Sequence, residues 1–114
     1  MTNFATGHYA ETVAAEYLSN LGYKILALNW RTKYCEVDII AQKDKRVYFV
    51  EVKYRRTTSQ GSGLDYVTPK KLSQMRFAAE LWMQENRWKH PSSLSALEIT
   101  GQDFQVTNFV SDWM

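Results

Sequence analysis

The chain has 114 residues, 45% hydrophobic and 23% charged, which is the size of one domain with material for a packed core and excludes a disordered or low-complexity segment. Its net charge of +2 names no partner by itself, and no run approaches the ~20 apolar residues that a membrane-spanning helix needs. A single cysteine, Cys35, rules out an internal disulfide and a four-thiolate zinc site.

The first residues show no basic segment leading into an apolar block, so no secretion signal is expected, and the expected setting is the reducing cytoplasm. The distribution of charge says more than its total. Residues 53–90 hold eight basic side chains against three acidic ones, while residues 91–114 hold three acidic and none basic. The middle of the chain is therefore the expected face for a polyanion, unless those cations only solvate a helix.

In chain order, Thr6 is the expected cap of a first helix running to about residue 21. Tyr9, Ala10, Val13, Ala14, Tyr17, Leu18 and Leu21 fall on one stripe, and Gly22 suits the helix end. Residues 23–30 read as a strand, apolar enough to be buried on both faces. Residues 36–42 and 47–55 read as two further strands, the latter rich in Val, Tyr and Phe. The short polar link Lys43-Asp44-Lys45-Arg46 makes these two an antiparallel hairpin.

Residues 56–66 are rich in Thr, Ser and Gly and read as a mobile loop, placed to close over a groove. Thr68-Pro69 starts a second helix with a cap and a proline at its first position. Leu72, Met75, Ala79, Trp82 and Met83 line one of its faces, with Phe77 and Leu81 on another. Residues 94–100 and 104–110 read as two closing strands. The order α-β-β-β-α-β-β is an α/β (α+β) arrangement of one sheet with helices against it, with the core at about residues 7–110.

The chemistry concentrates in the hairpin. If Gln42 stands opposite Val47, antiparallel register puts Asp38 opposite Glu51 and Glu36 opposite Lys53, with Cβ atoms of opposed residues ~5 Å apart. Two acids so close repel, and one is pushed toward protonation unless a cation intervenes. Lys53 is one such cation, sharing a strand face with Glu51. A divalent ion is the other, because Mg²⁺ or Mn²⁺ binds through one or two carboxylates and keeps several waters. Asp38, Glu51 and Lys53 beside a basic stretch suggest metal-assisted hydrolysis of a phosphodiester. The competing reading is a set of cross-strand ion pairs, Glu36–Lys53 and Asp38–Lys53. His8 and His90 are expected at the surface or as caps. Tyr54, Tyr66, Trp82, Trp88 and Trp113 are candidates for stacking on bases, or for core and dimer contacts.

Asp38 with Glu51-Val52-Lys53 resembles the signature of the restriction-endonuclease-like (PD-(D/E)xK) nuclease superfamily. Ala10-Glu11, Ala14, Tyr17-Leu18, Gly22-Tyr23, Asn29-Trp30-Arg31, residues 35–41 (CEVDIIA), residues 49–55 (FVEVKYR), Val67 and Lys71 are similar to the YraN family. That family comprises small bacterial proteins similar to archaeal Holliday-junction resolvases. The resemblance spans residues ~7–85, and Ala10 and Cys35 stand where the family has glycine.

It implies a single nuclease-like domain over residues 1–114, with a three-layer αβββαβ core and a mixed central sheet. It implies that Asp38 and Glu51 bind Mg²⁺ or Mn²⁺, that Lys53 is catalytic, and that Glu11 is a further metal-binding acid. The position of Glu11 on the helix does not by itself distinguish it from Glu16. Lys71 and Gln74 match second-helix positions near the nucleic acid, with Arg55, Arg56, Lys70 and Arg76 as further basic candidates. A homodimer through Phe77 and Leu81 is expected by analogy with the dimeric resolvases. The function implied is a nucleic-acid-binding, metal-dependent endonuclease acting on DNA, branched or flapped. The alternative is a catalytically silent nucleic-acid-binding or protein-interaction module of the same fold.

Overall fold

A computed structural model describes residues 2–57, 64 and 67–113. Its elements are α1 (Asn3–Asn20), β1 (Lys24–Arg31), β2 (Glu36–Lys43), β3 (Arg46–Arg55), α2 (Pro69–Glu85), β4 (Ser92–Thr100) and β5 (Gln105–Val110). The sheet is five-stranded and mixed, in the order β1-β2-β3-β4-β5. Only β3 and β4 run parallel, joined through α2; the other neighbours are antiparallel. Most of the expected 56–66 loop, including Tyr66, lies outside the described residues.

The two helices cover opposite faces of the sheet. Ala10, Ala14 and Leu18 of α1 pack on Ile39, Ala41, Val50, Leu97 and Ile99. Met75, Ala78, Ala79 and Trp82 of α2 pack on Val37, Ile40, Val47, Phe49 and Leu94. Strands β1 to β4 thus feed two cores by their alternation of faces, while β5 adds Val106 and Phe109 to the α1 side only, giving three layers. Among the described residues, no helix is long and apolar enough to cross a membrane.

Two local expectations are corrected. The cap of α1 is Thr2, whose Oγ1 accepts from the Ala5 N–H at 3.0 Å, so the helix begins a turn earlier than Thr6. The apolar run in β1 belongs to an edge strand, in which Leu28 is 49% exposed, so it is not buried on both faces. Thr68 does cap α2, accepting from the Lys71 N–H at 3.1 Å. That cap fixes the first turn of α2, and with it the position of Lys71.

Candidate active site

The hairpin pairs with the expected register for half its length and then opens. Lys43↔Arg46 through Ile39↔Val50 are regular partners, and pairing between β2 and β3 stops there. Beyond that point β2 stays with β1, through Trp30↔Val37 and Arg31↔Glu36, while β3 stays with β4, through Glu51↔Ala96 and Lys53↔Glu98. The two strands therefore fork, with Asp38 and Glu51 as the first residues past the last pair. Glu36 does not stand opposite Lys53 as the register alone suggests. It sits beside β1 and pairs with Arg31, Oε2 to Nη2 at 3.2 Å.

The fork has a visible local cause. Asn29, opposite Asp38, adopts a left-handed backbone with φ of 51°, which asparagine tolerates better than most residues. Ile39 packs in the α1 core, yet Val37 packs in the α2 core, where strict alternation would not put it. Trp30 likewise joins Ala27 on the α2 side. Both strands change face at the Asn29–Asp38 step, and the missing β2–β3 backbone bond is replaced by a side chain. The Val52 N–H donates to Asp38 Oδ2 at 2.8 Å.

This bond holds Asp38 in place at only 8% exposure. Burial raises its pKa from 3.8 to about 7, opposed by the Val52 N–H and assisted by the Glu11 and Glu36 carboxylates. A hydrogen bond between the Asp38 and Glu11 carboxyls adds to the rise, and it needs a proton on one of them. Glu51 is also raised, from 4.5 to about 7, first by burial and then by Asp38, with Lys71 acting the other way. Lys71 Nζ lies 3.2 Å from Glu51 Oε1. Four acids from α1, β2 and β3 thus act on one another through a small volume, with one ammonium from α2 beside them.

Glu11 reaches this group from α1 and lies 4.0 Å from His8 Nδ1, whereas Glu16 is exposed. Lys53 is exposed and lines a cleft with Asn3, Gly7, Tyr54 and Arg56. The ammonium seen on Glu51 is that of Lys71. A second cleft, of about 470 Å³, brings Lys70, Lys71 and Gln74 of α2 together with Glu36 and Glu51. A third is lined by His8, Glu11, Asn29, Arg31 and Glu36, so Glu36 borders two clefts.

The remaining basic candidates lie elsewhere. Arg55 is committed to Glu98, Nε to Oε2 at 2.7 Å. Arg76, five residues past Lys71, is about 140° further round α2 and borders Ala79, Glu80 and Met83 on the other flank. Cys35 is half-buried, its Sγ 3.3 Å from Thr32 Oγ1. Among the aromatic candidates, Trp82 packs on Phe49, Trp88 bonds the Pro91 carbonyl, and Tyr54 stacks on Phe104. Asn29 enters the sequence reading only within the family resemblance, with no role at the site; its signal is an asparagine in an apolar strand. The sequence reading overlooked Tyr34, whose only signal is its place in a turn.

A three-layer α+β protein with a carboxylate-lined strand fork is the class these features define. Residues 10–106 match the model of the uncharacterised protein family UPF0102. A UPF0102 protein of Syntrophomonas wolfei is 44% identical over 82 residues, 72% of this chain and 71% of that protein. A UPF0102 protein of Vibrio parahaemolyticus is 38% identical over 111 residues, covering 93% and 92% of the two chains. One from Mycolicibacterium gilvum is 40% identical over 92 residues, 77% of this chain and 75% of its own. The chain belongs to the UPF0102 family.

Proposed function

We propose that the protein is a divalent-metal-dependent endonuclease of the restriction-endonuclease-like superfamily, similar to the resolvases, that hydrolyses phosphodiesters in branched or flapped DNA. The observation that carries this reading is the fork, where buried Asp38 and half-buried Glu51 are neighbours whose pKa values burial and neighbouring acids raise to about 7. An isolated hairpin gains nothing from such crowding. It becomes favourable when a cation is shared.

The donor set fits Mg²⁺ or Mn²⁺. Its atoms are carboxylate oxygens, and among the described residues no three His, Cys, Asp or Glu side chains are grouped so as to hold a metal ion together, so the set is a pair. Two carboxylates leave room for water and phosphate oxygens, which is the usual Mg²⁺ arrangement. Asp38 and Glu51 would hold the ion; Glu11, from α1, acts on Asp38 and would need to move to become a third ligand. A bound ion supplies acidification of a water and neutralisation of phosphate charge.

The protein's own groups do the rest. The Val52 N–H keeps Asp38 aimed into the fork. Lys53 steadies the water or the phosphate, with Arg56 in the same cleft. Lys70, Lys71 and Gln74 hold the backbone on the other side. Arg55 serves through its bond to Glu98, and Arg76 meets DNA only along the outer flank of α2. Such a role places the protein in the cytoplasm with its DNA.

The test is incubation with junction, flap, single-stranded and duplex DNA in Mn²⁺. Cleavage should require the ion and disappear in Glu51→Ala and in Lys53→Ala. Cleavage that survives both substitutions overturns the reading. A binding module without turnover is the second reading, favoured by the Lys71 ammonium already neutralising Glu51. On that reading DNA affinity is salt-dependent and indifferent to Asp38→Ala, and no cleavage accompanies it.

A further inference from the structure

The cleft that contains Glu51 and Lys71 is walled by more than charge. Tyr34, in the turn between β1 and β2, is 74% exposed, and Phe77 of α2 is 50% exposed. Both line this one cleft, from opposite elements. Other exposed aromatic rings have ring partners: Phe4 stacks on His8, and Tyr9 meets Phe104 edge-on. Among the described residues, neither Tyr34 nor Phe77 packs on another ring. Lys33 Nζ sits 5.7 Å from the Tyr34 ring centre, a cation beside that ring.

An aromatic face beside an ammonium is how single strands are held: the ring stacks on a base, and the cation meets the backbone. A base within a duplex offers only its edge, because its faces are already stacked. An unpaired base offers a face. The cleft volume of about 470 Å³ falls in the range of sites for small ligands, ~300–1,000 Å³, which suits a nucleotide rather than a double helix. Gln74 adds an amide able both to donate to and to accept from a base edge.

We infer that this cleft takes an unpaired nucleotide, its base held against both Tyr34 and Phe77 and its phosphate directed to Lys71 and the fork. The inference rests on the endonuclease reading and deepens it: the strand to be cut is recognised by an unpaired nucleotide next to the scissile phosphate. Discrimination between single strand and duplex then resides in two exposed rings, not in the acids.

The experiment is equilibrium binding in EDTA, with a fluorescent 15-nucleotide thymidine strand and a duplex of equal length as the probes. Tyr34→Ala and Phe77→Ala should each weaken single-strand binding ~5- to 100-fold, the usual range for loss of one stacking ring, and leave duplex binding unchanged. Tyr34→Phe and Phe77→Trp should retain it. Both rings are exposed, so thermal melting should show all four variants folded. Equal losses on both probes, or none, overturn the inference. So does a drop in oligomeric mass with DNA binding intact, which would make the cleft a contact between copies. If the variants bind as wild type but Mn²⁺-dependent cleavage persists, the endonuclease reading stands and the stacking cleft falls. If the wild type neither binds nor cleaves any DNA, both fall.

Discussion

Two carboxylate sites lie on neighbouring strands of this sheet, one where β2 and β3 part and one on β4, and they are built in opposite ways. Glu98, on central β4, is 3% exposed and fully engaged: Arg55 Nε at 2.7 Å on one oxygen, Thr107 Oγ1 and Asn108 Nδ2 at 3.0 Å on the other. Asp38 takes the Val52 N–H and Glu51 the partly exposed Lys71 ammonium, and the pair faces two further acids, Glu11 and Glu36. A buried charge with a matched cation and neutral donors is a structural element. A group of acids that raise one another's pKa is stabilised by an added positive charge.

The sharpest way to break that contrast is to truncate each side. Glu98→Ala removes the buried carboxylate that engages the Arg55 guanidinium, Thr107 and Asn108, and should cost about 3–5 kcal/mol of unfolding free energy by urea titration. A loss under 1 kcal/mol would show that the Glu98 network is not structural. Glu51→Ala should do the reverse. It should leave the fold intact while lowering Mn²⁺-dependent cleavage by about 10²–10³-fold, the several kcal/mol that a lost metal ligand represents. Unfolding of Glu51→Ala with the Glu98 variant stable would invert the assignment of roles.

Acidity separates the two sites further. Asp38 and Glu51 have folded pKa values near 7 against ordinary values of 3.8 and 4.5. Between pH ~4 and ~7 the folded chain therefore keeps protons that the unfolded chain has released. Metal-free stability from this pair is present at low pH, declines as pH rises through that window, and then levels off. Asp38→Asn keeps an oxygen for the Val52 N–H and should flatten the decline, making the variant more stable than wild type at pH 8. Mg²⁺ should restore wild-type stability at pH 8 and do little at pH 5, where the carboxyls hold protons. A wild-type melting temperature that climbs steadily from pH 4 to 8 without metal would contradict the crowded-acid description.

How much of this was legible beforehand follows from what each feature depends on. Element order and the lower half of the hairpin follow from alternation and a four-residue polar link, because register there is a local matter. The closeness of Asp38 and Glu51 was legible for the same reason. The fork was not, since it depends on β2 preferring β1 and β3 preferring β4 past Val50, a competition between strands distant in sequence. That competition moves Glu36 to Arg31 and leaves Lys53 opposite Glu98. Arg55 and Arg76 read as DNA contacts from charge alone, but burial on Glu98 and a 140° turn of helix are three-dimensional facts. Lys71 shows the opposite case. Its role could be suspected from resemblance, and its position was fixed once Thr68 was recognised as the cap.

The smallest expected effect concerns the two cations. Arg55 is held by a partner almost inaccessible to solvent, while Lys71 is 36% exposed and meets Glu51 at 3.2 Å. An exposed ion pair contributes about 0–1 kcal/mol, so Lys71 gives up Glu51 at little cost when a phosphate competes. Lys71→Ala should therefore hardly change stability but should reduce the slope of log affinity against log salt by ~0.9 for duplex, or ~0.7 for a single strand, the signature of one lost phosphate contact. Arg76→Ala, on the far flank of α2, should leave that slope nearly unchanged. If Arg76→Ala lowers the slope and Lys71→Ala does not, DNA runs along the outer flank of α2, and the cleft beside Glu51 is not its path.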